Sequence, residues 1–123
     1  MSSLFCLGTY ALVEIAKDNP KFTKFNKEAF VITDIILAEF YFVTLREYDV
    51  QTAEYWFRRM SPYSQPVPKE LLKEAVKFRY ENTAKNFSFF DAVGYIYSLK
   101  NNHKFLTGDK EFKGLPGVEF IEA

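Results

Sequence analysis

Three acidic residues, Glu39, Asp91 and Asp109, stand where a carboxylate could take part in chemistry. Glu39 interrupts an apolar run, Asp91 opens a segment of small residues, and Asp109 follows a short apolar stretch. Carboxylate oxygens are preferred ligands of Mg²⁺ and Mn²⁺. A divalent ion held by such groups lowers the pKa of a bound water and orients it towards a phosphodiester. If the fold brings the three acids together, the sequence predicts metal-dependent hydrolysis.

Of the three candidates, Glu39 has the surroundings that are most unusual for an acidic residue. The residues three and four positions away from it are all apolar: Ile35, Ile36, Phe42 and Val43. In a helix these neighbours share its face, and an unpaired charge on such a face costs several kcal/mol. Glu39 therefore either extends to solvent or faces a cation, and we favour the cation.

Asp91 and Asp109 also have purely structural explanations. Ser88 and Asp91 have the spacing of a helix capping box, and a carboxylate in the first turn is stabilised by the helix dipole. Asp109 belongs to a Thr-Gly-Asp sequence typical of a strand running into a turn. The single histidine, His103, lies in a polar segment, which makes a Ser-His-Asp triad improbable.

The elements that must position these acids follow from the apolar patterning. We predict strands at 4–7, 29–32, 104–107 and 118–121, with a brief edge strand within 63–67. We predict helices at 9–17, 21–27, 35–48, 50–60, 68–85 and 86–100. Strands separated by helices pair in parallel through right-handed crossovers, which gives a three-layer α/β domain. Ligands collect at the carboxyl ends of such strands, and Gly8 and Asp109 both follow predicted strands.

Bulk properties set further limits. The 123 residues are expected to form a single domain over residues 1–123. The formal net charge is zero, so any nucleic-acid-binding surface must be a local patch. One cysteine excludes an internal disulfide and a cysteine-based zinc site. Neither a secretion signal nor a membrane-spanning segment is predicted, so we expect a cytoplasmic protein with no membrane partner.

At this level of detail the whole chain resembles a PIN domain, and most closely the VapC-type ribonucleases that act as toxins in toxin–antitoxin pairs. The resemblance rests on a strand followed by TYALVEI, on Glu39 in LAEF, on Asp91 in FSFFDAVGYIYS, and on the terminal LTGDKEFKGLPGVEFI. No piece is specific alone, but their order and spacing together are fairly specific.

The resemblance implies a PIN-like α/β/α fold around a central, mainly parallel sheet. It also implies Mg²⁺- or Mn²⁺-dependent cleavage of RNA, a homodimer, and inhibition by a cognate antitoxin protein that fills the active-site groove. The residues that match the metal-site acids of the family are Glu39, Asp91 and Asp109, with Glu111 as a weaker match. Thr107 and Thr9 match hydroxyl groups that support the site.

The sequence departs from the family pattern at Gly8. The family places an acid at the end of the first strand, whereas this chain reads Leu7-Gly8-Thr9. Glycine offers no side-chain ligand, and the nearest acids lie farther along the following helix. We therefore predict weak or absent hydrolysis, restored by Gly8→Asp. An engineered inactivation and a natural loss both explain Gly8, and the sequence does not choose between them.

Two other functional hypotheses stay open. The chain could be a catalytically inactive PIN scaffold that binds an antitoxin or RNA, or a structural α/β protein whose acids only cap helices. For an RNA substrate, Lys85 and Lys110 flank the proposed acids and could meet phosphates, and Tyr95 lies near Asp91 in sequence. The many other aromatic residues are more typical of a core or a dimer face.

Overall fold

The computed structural model describes residues 4–123. The strands are β1 (Phe5–Leu7), β2 (Phe30–Thr33), β3 (Ser64–Gln65), β4 (Lys104–Thr107) and β5 (Val118–Phe120). The α-helices are α1 (Thr9–Ala16), α2 (Pro20–Thr23), α3 (Asp34–Glu47), α4 (Val50–Met60), α5 (Lys69–Glu81) and α6 (Phe89–Lys100). Short 3₁₀ turns occupy Lys24–Lys27, Ser61–Tyr63 and Lys110–Phe112.

The five strands form one parallel sheet in the order β3-β2-β1-β4-β5. Helix α6 packs on strands β1, β2 and β4, and helix α1 packs on β1 and β4. Helices α3 and α4 pack on each other, and so do α5 and α6. This arrangement is a three-layer α/β/α domain around a parallel sheet, as the sequence predicts.

Local capping signals explain where three of the helices begin. The Thr33 hydroxyl accepts from the N–H of Ile36 at the start of α3 (3.1 Å). The Asp49 carboxylate accepts from the N–H of Thr52 at the start of α4 (2.7 Å). Ser88 does the same for α6. Each cap satisfies a backbone donor that has no partner within its helix.

The boundary between α5 and α6 differs from the prediction. Helix α5 ends at Glu81, because Asn82 leaves the helical conformation and its side-chain amide donates to the Phe78 carbonyl (2.8 Å). Helix α6 begins only after the Ser88 cap. Residues 82–88 therefore form a connection rather than helix, and this connection sets the position at which α6 meets the sheet.

The core between the sheet and α6 is rich in aromatic rings. Phe105 of β4 contacts Tyr95 of α6, with ring centroids 6.2 Å apart, and Phe112, at 5.3 Å. Phe87 packs on Phe112 at 4.5 Å. These aromatic residues therefore stabilise the interior, as the sequence favours. None of the helices within residues 4–123 is long and apolar enough to cross a bilayer.

Candidate active site

The candidate site forms where β1 and β4 end side by side. Leu7 is paired with Leu106 in the sheet, and the N–H of Gly8 donates to the Leu106 carbonyl (2.9 Å). Because the strands are parallel, the residues that follow them, Thr9 and Asp109 among them, emerge at the same edge.

Asp91 reaches this edge from the first turn of α6. Its N–H donates to the Ser88 hydroxyl (3.0 Å), which fixes the start of the helix. Its side chain is 9% exposed, and the Oδ1 atom is buried without a hydrogen-bond partner. Buried polar atoms are nearly always paired, so an unpaired carboxylate oxygen marks a place where a ligand or cation would be accommodated.

The electrostatic surroundings of Asp91 tie the three predicted acids together. Burial, followed in size by the negative charges of Glu39 and Asp109, raises the pKa of Asp91 from 3.8 to about 7. Hydrogen bonds from Ser88 and from the Thr9 backbone oppose the rise in pKa. The Asp91 carboxylate is thus close enough to those of Glu39 and Asp109 to be repelled by both.

Thr9 connects two of these acids. Its hydroxyl donates a short hydrogen bond to the Glu39 carboxylate, and its backbone N–H stabilises the Asp91 carboxylate. Glu39 is half-buried on α3, and among the described residues it forms no ion pair. The first residue of α1 therefore holds the acids of α3 and α6 in place.

Asp109 is held by the turn that follows β4. Its N–H donates to the buried Thr107 hydroxyl (3.1 Å), and its Oδ1 accepts from the N–H of Glu111 (3.0 Å). These two bonds fix the direction of the turn, so the position of Asp109 depends directly on Thr107.

Asp91, Asp109 and Thr9 line one cavity of about 780 Å³. Three basic side chains of its wall each pair with an acid of the same wall: Lys17 with Glu14 (3.6 Å), Arg46 with Glu47 (3.3 Å), and Lys110 with Glu122 (3.5 Å). Within residues 4–123, no ion pair involves Glu39, Asp91 or Asp109.

The donor set suits a hard divalent cation, because it consists of carboxylate oxygens, one of them unpaired. Within the described part of the chain, however, no three acidic, histidine or cysteine side chains are clustered closely enough to hold an ion as they stand. Asp91 and Asp109 line the cavity, whereas Glu39 is not among its lining residues and is connected to it by the hydrogen bond from Thr9. A cation would have to draw the oxygens of the three acids together.

No protein-family model and no curated protein matches the sequence. Solved structures match it over nearly its whole length. VapC20 of Mycobacterium tuberculosis, described as a toxin that cleaves the sarcin–ricin loop, has a TM-score of 0.76 at 15% identity over 97% of this chain and 98% of its own. The DNA-bound VapBC of Salmonella typhimurium has a TM-score of 0.75 at 14% identity over 98% of both chains. A toxin–antitoxin complex from Klebsiella pneumoniae has a TM-score of 0.74 at 17% identity over 99% of this chain and 100% of its own.

The chain has the PIN-like fold of VapC toxins. In this PIN-like frame the predicted site residues separate into two groups. Asp91, Asp109 and Thr9 line the cavity. Glu39 and Thr107 lie outside its lining and are hydrogen-bonded to Thr9 and Asp109, respectively.

Of the remaining predicted site residues, only Lys110 lines the cavity. Lys85 is exposed and lies outside the lining. Glu111 also lies outside the lining, and its carboxylate accepts from the N–H of Asn86 (3.2 Å). The prediction for Tyr95 is corrected: it is 3% exposed and its hydroxyl donates to the Pro116 carbonyl (2.7 Å), so it is a core residue rather than a substrate contact.

The sequence did not reveal the basic residues Lys17 and Arg46 in the cavity wall, because each lies near an acid along its own helix and reads as an ordinary surface charge. It also gave no indication of the role of Phe105. A Cβ atom built on Gly8 would lie 2.9 Å from Phe105 Cζ, closer than Cβ atoms are found in real structures. The space beside Gly8 is therefore already filled by a ring from β4.

Proposed function

We propose that this chain is a VapC-like toxin of a toxin–antitoxin pair, whose acidic cavity binds Mg²⁺ or Mn²⁺ and RNA, and whose hydrolytic activity is weakened by Gly8. The observation that carries the proposal is the buried, unpaired carboxylate oxygen of Asp91, which lies in the cavity wall with Asp109 and is repelled by the charges of Glu39 and Asp109. The basic side chains of that cavity are paired with other acids. A divalent cation would supply the positive charge that the ion pairs of residues 4–123 do not bring to these three acids.

The metal would be held by Glu39, Asp91 and Asp109, with Glu111 as a more distant candidate. Once bound, the ion would supply a water of lowered pKa and neutralise charge on phosphate oxygens. Thr9 and Thr107 position the acids by the hydrogen bonds described above. Gly8 offers no fourth carboxylate, and we therefore expect weaker metal binding and slow cleavage.

RNA as the substrate is supported by the wall of the cavity. Lys17, Arg46 and Lys110 lie around the acids, where they could contact the phosphates on either side of the bond to be cut. Tyr10 and Tyr48 also line the cavity and offer rings on which bases could stack.

A cognate antitoxin and a second copy of this chain are the proposed protein partners. The fold is shared with chains crystallised as toxin–antitoxin complexes. Exposed apolar side chains on α3, on α4 and in the turn between them provide surface that a partner would cover: Phe42, Tyr48, Val50, Tyr55 and Phe57. We expect these encounters to occur in the cytoplasm.

Metal binding is tested by thermal unfolding with and without Mn²⁺. We expect millimolar Mn²⁺ to raise the Tm of the wild-type chain, because an ion that binds only the folded state stabilises it. Glu39→Gln should remove most of this rise. The matched control is Glu14→Gln, which changes an acid of the cavity wall that is already paired with Lys17. Equal responses of the wild type and Glu39→Gln would refute the metal site.

The second candidate function, an inactive PIN scaffold that binds RNA or an antitoxin, is favoured by the packing beside Gly8. The two candidates are separated by incubating the wild-type chain with a labelled single-stranded RNA panel and Mn²⁺. Slow cleavage that Asp91→Asn abolishes supports the nuclease. Binding by fluorescence anisotropy with intact RNA after prolonged incubation supports the scaffold.

A further inference from the structure

The backbone conformation at position 8 does not require glycine. Its φ of −78° and ψ of 169° are ordinary extended values that any residue adopts. What distinguishes the position is space. A Cβ atom there would lie 2.9 Å from Phe105 Cζ, 3.3 Å from Phe105 Cε1 and 3.3 Å from the Leu106 carbonyl oxygen. A side chain at position 8 thus requires the ring of Phe105 to move.

That ring has little freedom to move. Phe105 is fully buried, and the rings of Tyr95 and Phe112 pack against it at centroid distances of 6.2 and 5.3 Å. Gly94 of α6 is also close, since a Cβ atom built on it would lie 2.7 Å from Phe105 Cε1. The ring therefore fills the gap between the end of β1 and α6, the helix that carries Asp91.

We infer that Phe105 determines which residues can stand at the end of β1, and so sets the number of acids at the site. Phe105 and Gly8 form a matched pair in which the ring occupies the volume that the stem of an acid would need. A carboxylate introduced at Gly8 alone is not accommodated at the cavity. Shortening Phe105 to leucine opens the position, and Phe105 acts as a positioning residue without touching a substrate.

This pairing changes the expectation drawn from the sequence that Gly8→Asp alone restores activity. In the wild-type core the new side chain meets the Phe105 ring before its carboxylate can reach Asp91 and Asp109. Restoration requires two substitutions, Gly8→Asp together with Phe105→Leu. The metal-binding part of the inference rests on the proposed function, whereas the steric part does not.

The steric part is tested by a double-mutant cycle in Tm with Gly8→Ala and Phe105→Leu. Overpacking of a core should make Gly8→Ala lower the Tm by roughly 5 °C or more. In the Phe105→Leu background the same substitution should cost less than half as much. The matched control is Phe22→Leu, another fully buried phenylalanine, in whose background Gly8→Ala should keep its full cost. Equal costs in all three backgrounds overturn the inference.

A Gly8→Ala chain that fails to fold still decides the question. If Phe105→Leu folds and the double variant folds as well, the rescue supports the pairing. If Phe105→Leu folds and the double variant does not, the inference is overturned.

The functional part compares Mn²⁺ affinity by isothermal titration in Gly8→Asp, Phe105→Leu and the double variant. We expect the double variant to bind at least roughly tenfold more tightly than either single variant. Gly8→Asn with Phe105→Leu is the control that keeps the shape and removes the charge. If Gly8→Asp alone gains as much affinity as the double variant, the inference is overturned. If the Tm cycle shows coupling but no variant binds Mn²⁺, the proposed function fails and the steric pairing stands.

Discussion

The neighbouring strands β1 and β4 end at the same edge of the sheet, but only β4 is followed by an acidic residue of the site. After β4, Asp109 is fixed by the Thr107 hydroxyl and by its own bond to the N–H of Glu111. After β1, Gly8 presents no side chain, and the Phe105 ring fills the space beside it. An acid at a strand end therefore needs both a turn that fixes its backbone and enough free space for its side chain. The end of β4 has both, and the end of β1 lacks the volume.

Asp91 lies between these two strand ends and is the most sensitive probe of their difference. It is buried, its pKa is raised to about 7, and Glu39 and Asp109 contribute to the rise. Between about pH 4 and pH 7 the folded chain therefore holds a proton that the unfolded chain has released. The protonated Asp91 carboxyl group therefore contributes to the free energy of unfolding at low pH, and this contribution is lost as the pH rises from about 4 to about 7.

The largest expected effect is that of Asp91→Asn at alkaline pH. The substitution removes a charge that burial and two neighbouring acids disfavour, so it should stabilise the chain at pH 8 by up to about 4 kcal/mol, as one pKa unit corresponds to about 1.4 kcal/mol. At pH 4 the gain should be small. Urea unfolding at both pH values measures the difference.

Asp49→Asn is the control for this pH dependence. Asp49 is an exposed helix cap whose pKa is lowered by hydrogen bonds with Thr52, so its stabilisation is present above its unfolded pKa and is lost as the pH falls. The two variants should thus shift the pH profile of stability in opposite directions. A stability gain for Asp91→Asn that is the same at pH 4 and pH 8 would show that its carboxylate is not the repelled group of the cavity.

A smaller effect is expected from Thr107→Val, which acts on the end of β4 alone. Thr107 is fully buried, and valine keeps its shape while removing the acceptor for the N–H of Asp109. An unpaired donor should cost about 1 to 2 kcal/mol in unfolding free energy, and Mn²⁺ affinity should fall because Asp109 is less well held.

Thr107→Ser separates hydrogen bonding from packing at this position. Serine keeps the hydroxyl and loses the methyl group. If the turn depends on the hydroxyl, Thr107→Ser should retain Mn²⁺ affinity even where stability falls. The reverse order of the two variants in Mn²⁺ binding would mean that the β4 end is held by packing, and the contrast with β1 would then rest on volume alone.

The fold could be predicted largely because its signals are local. The helix from Val50 to Met60 and the strand from Lys104 to Thr107 have their predicted bounds, since caps and apolar runs determine them. The end of α5 was predicted too late because its stop at Asn82 depends on a side chain that donates back to the helix, with no glycine or proline to mark it.

The candidate site could be predicted only in part, for a physical reason. The apolar neighbours of Glu39 indicate a carboxylate that needs a partner, but they do not indicate that the hydroxyl of Thr9 is a partner. The burial of Tyr95 and the contact between Gly8 and Phe105 depend on residues distant in sequence. Periodicity reports which face of an element is buried and not which side chains meet across the sheet.

The smallest effect distinguishes two lysines that the sequence treats alike. Lys110 lines the cavity at the β4 end and pairs with Glu122 at an exposed position, whereas Lys85 lies outside the lining. Exposed ion pairs contribute little to stability, so Lys110→Gln should change unfolding free energy by less than about 0.5 kcal/mol. If RNA enters this cavity, Lys110→Gln should weaken binding of single-stranded RNA several-fold at low salt and lower the salt-dependence slope by about 0.7.

Lys85→Gln should change neither quantity, and Glu122→Gln, which frees Lys110, should tighten binding. Equal losses from the two lysine variants would place the RNA on a diffuse basic surface and leave the β4 edge without a substrate.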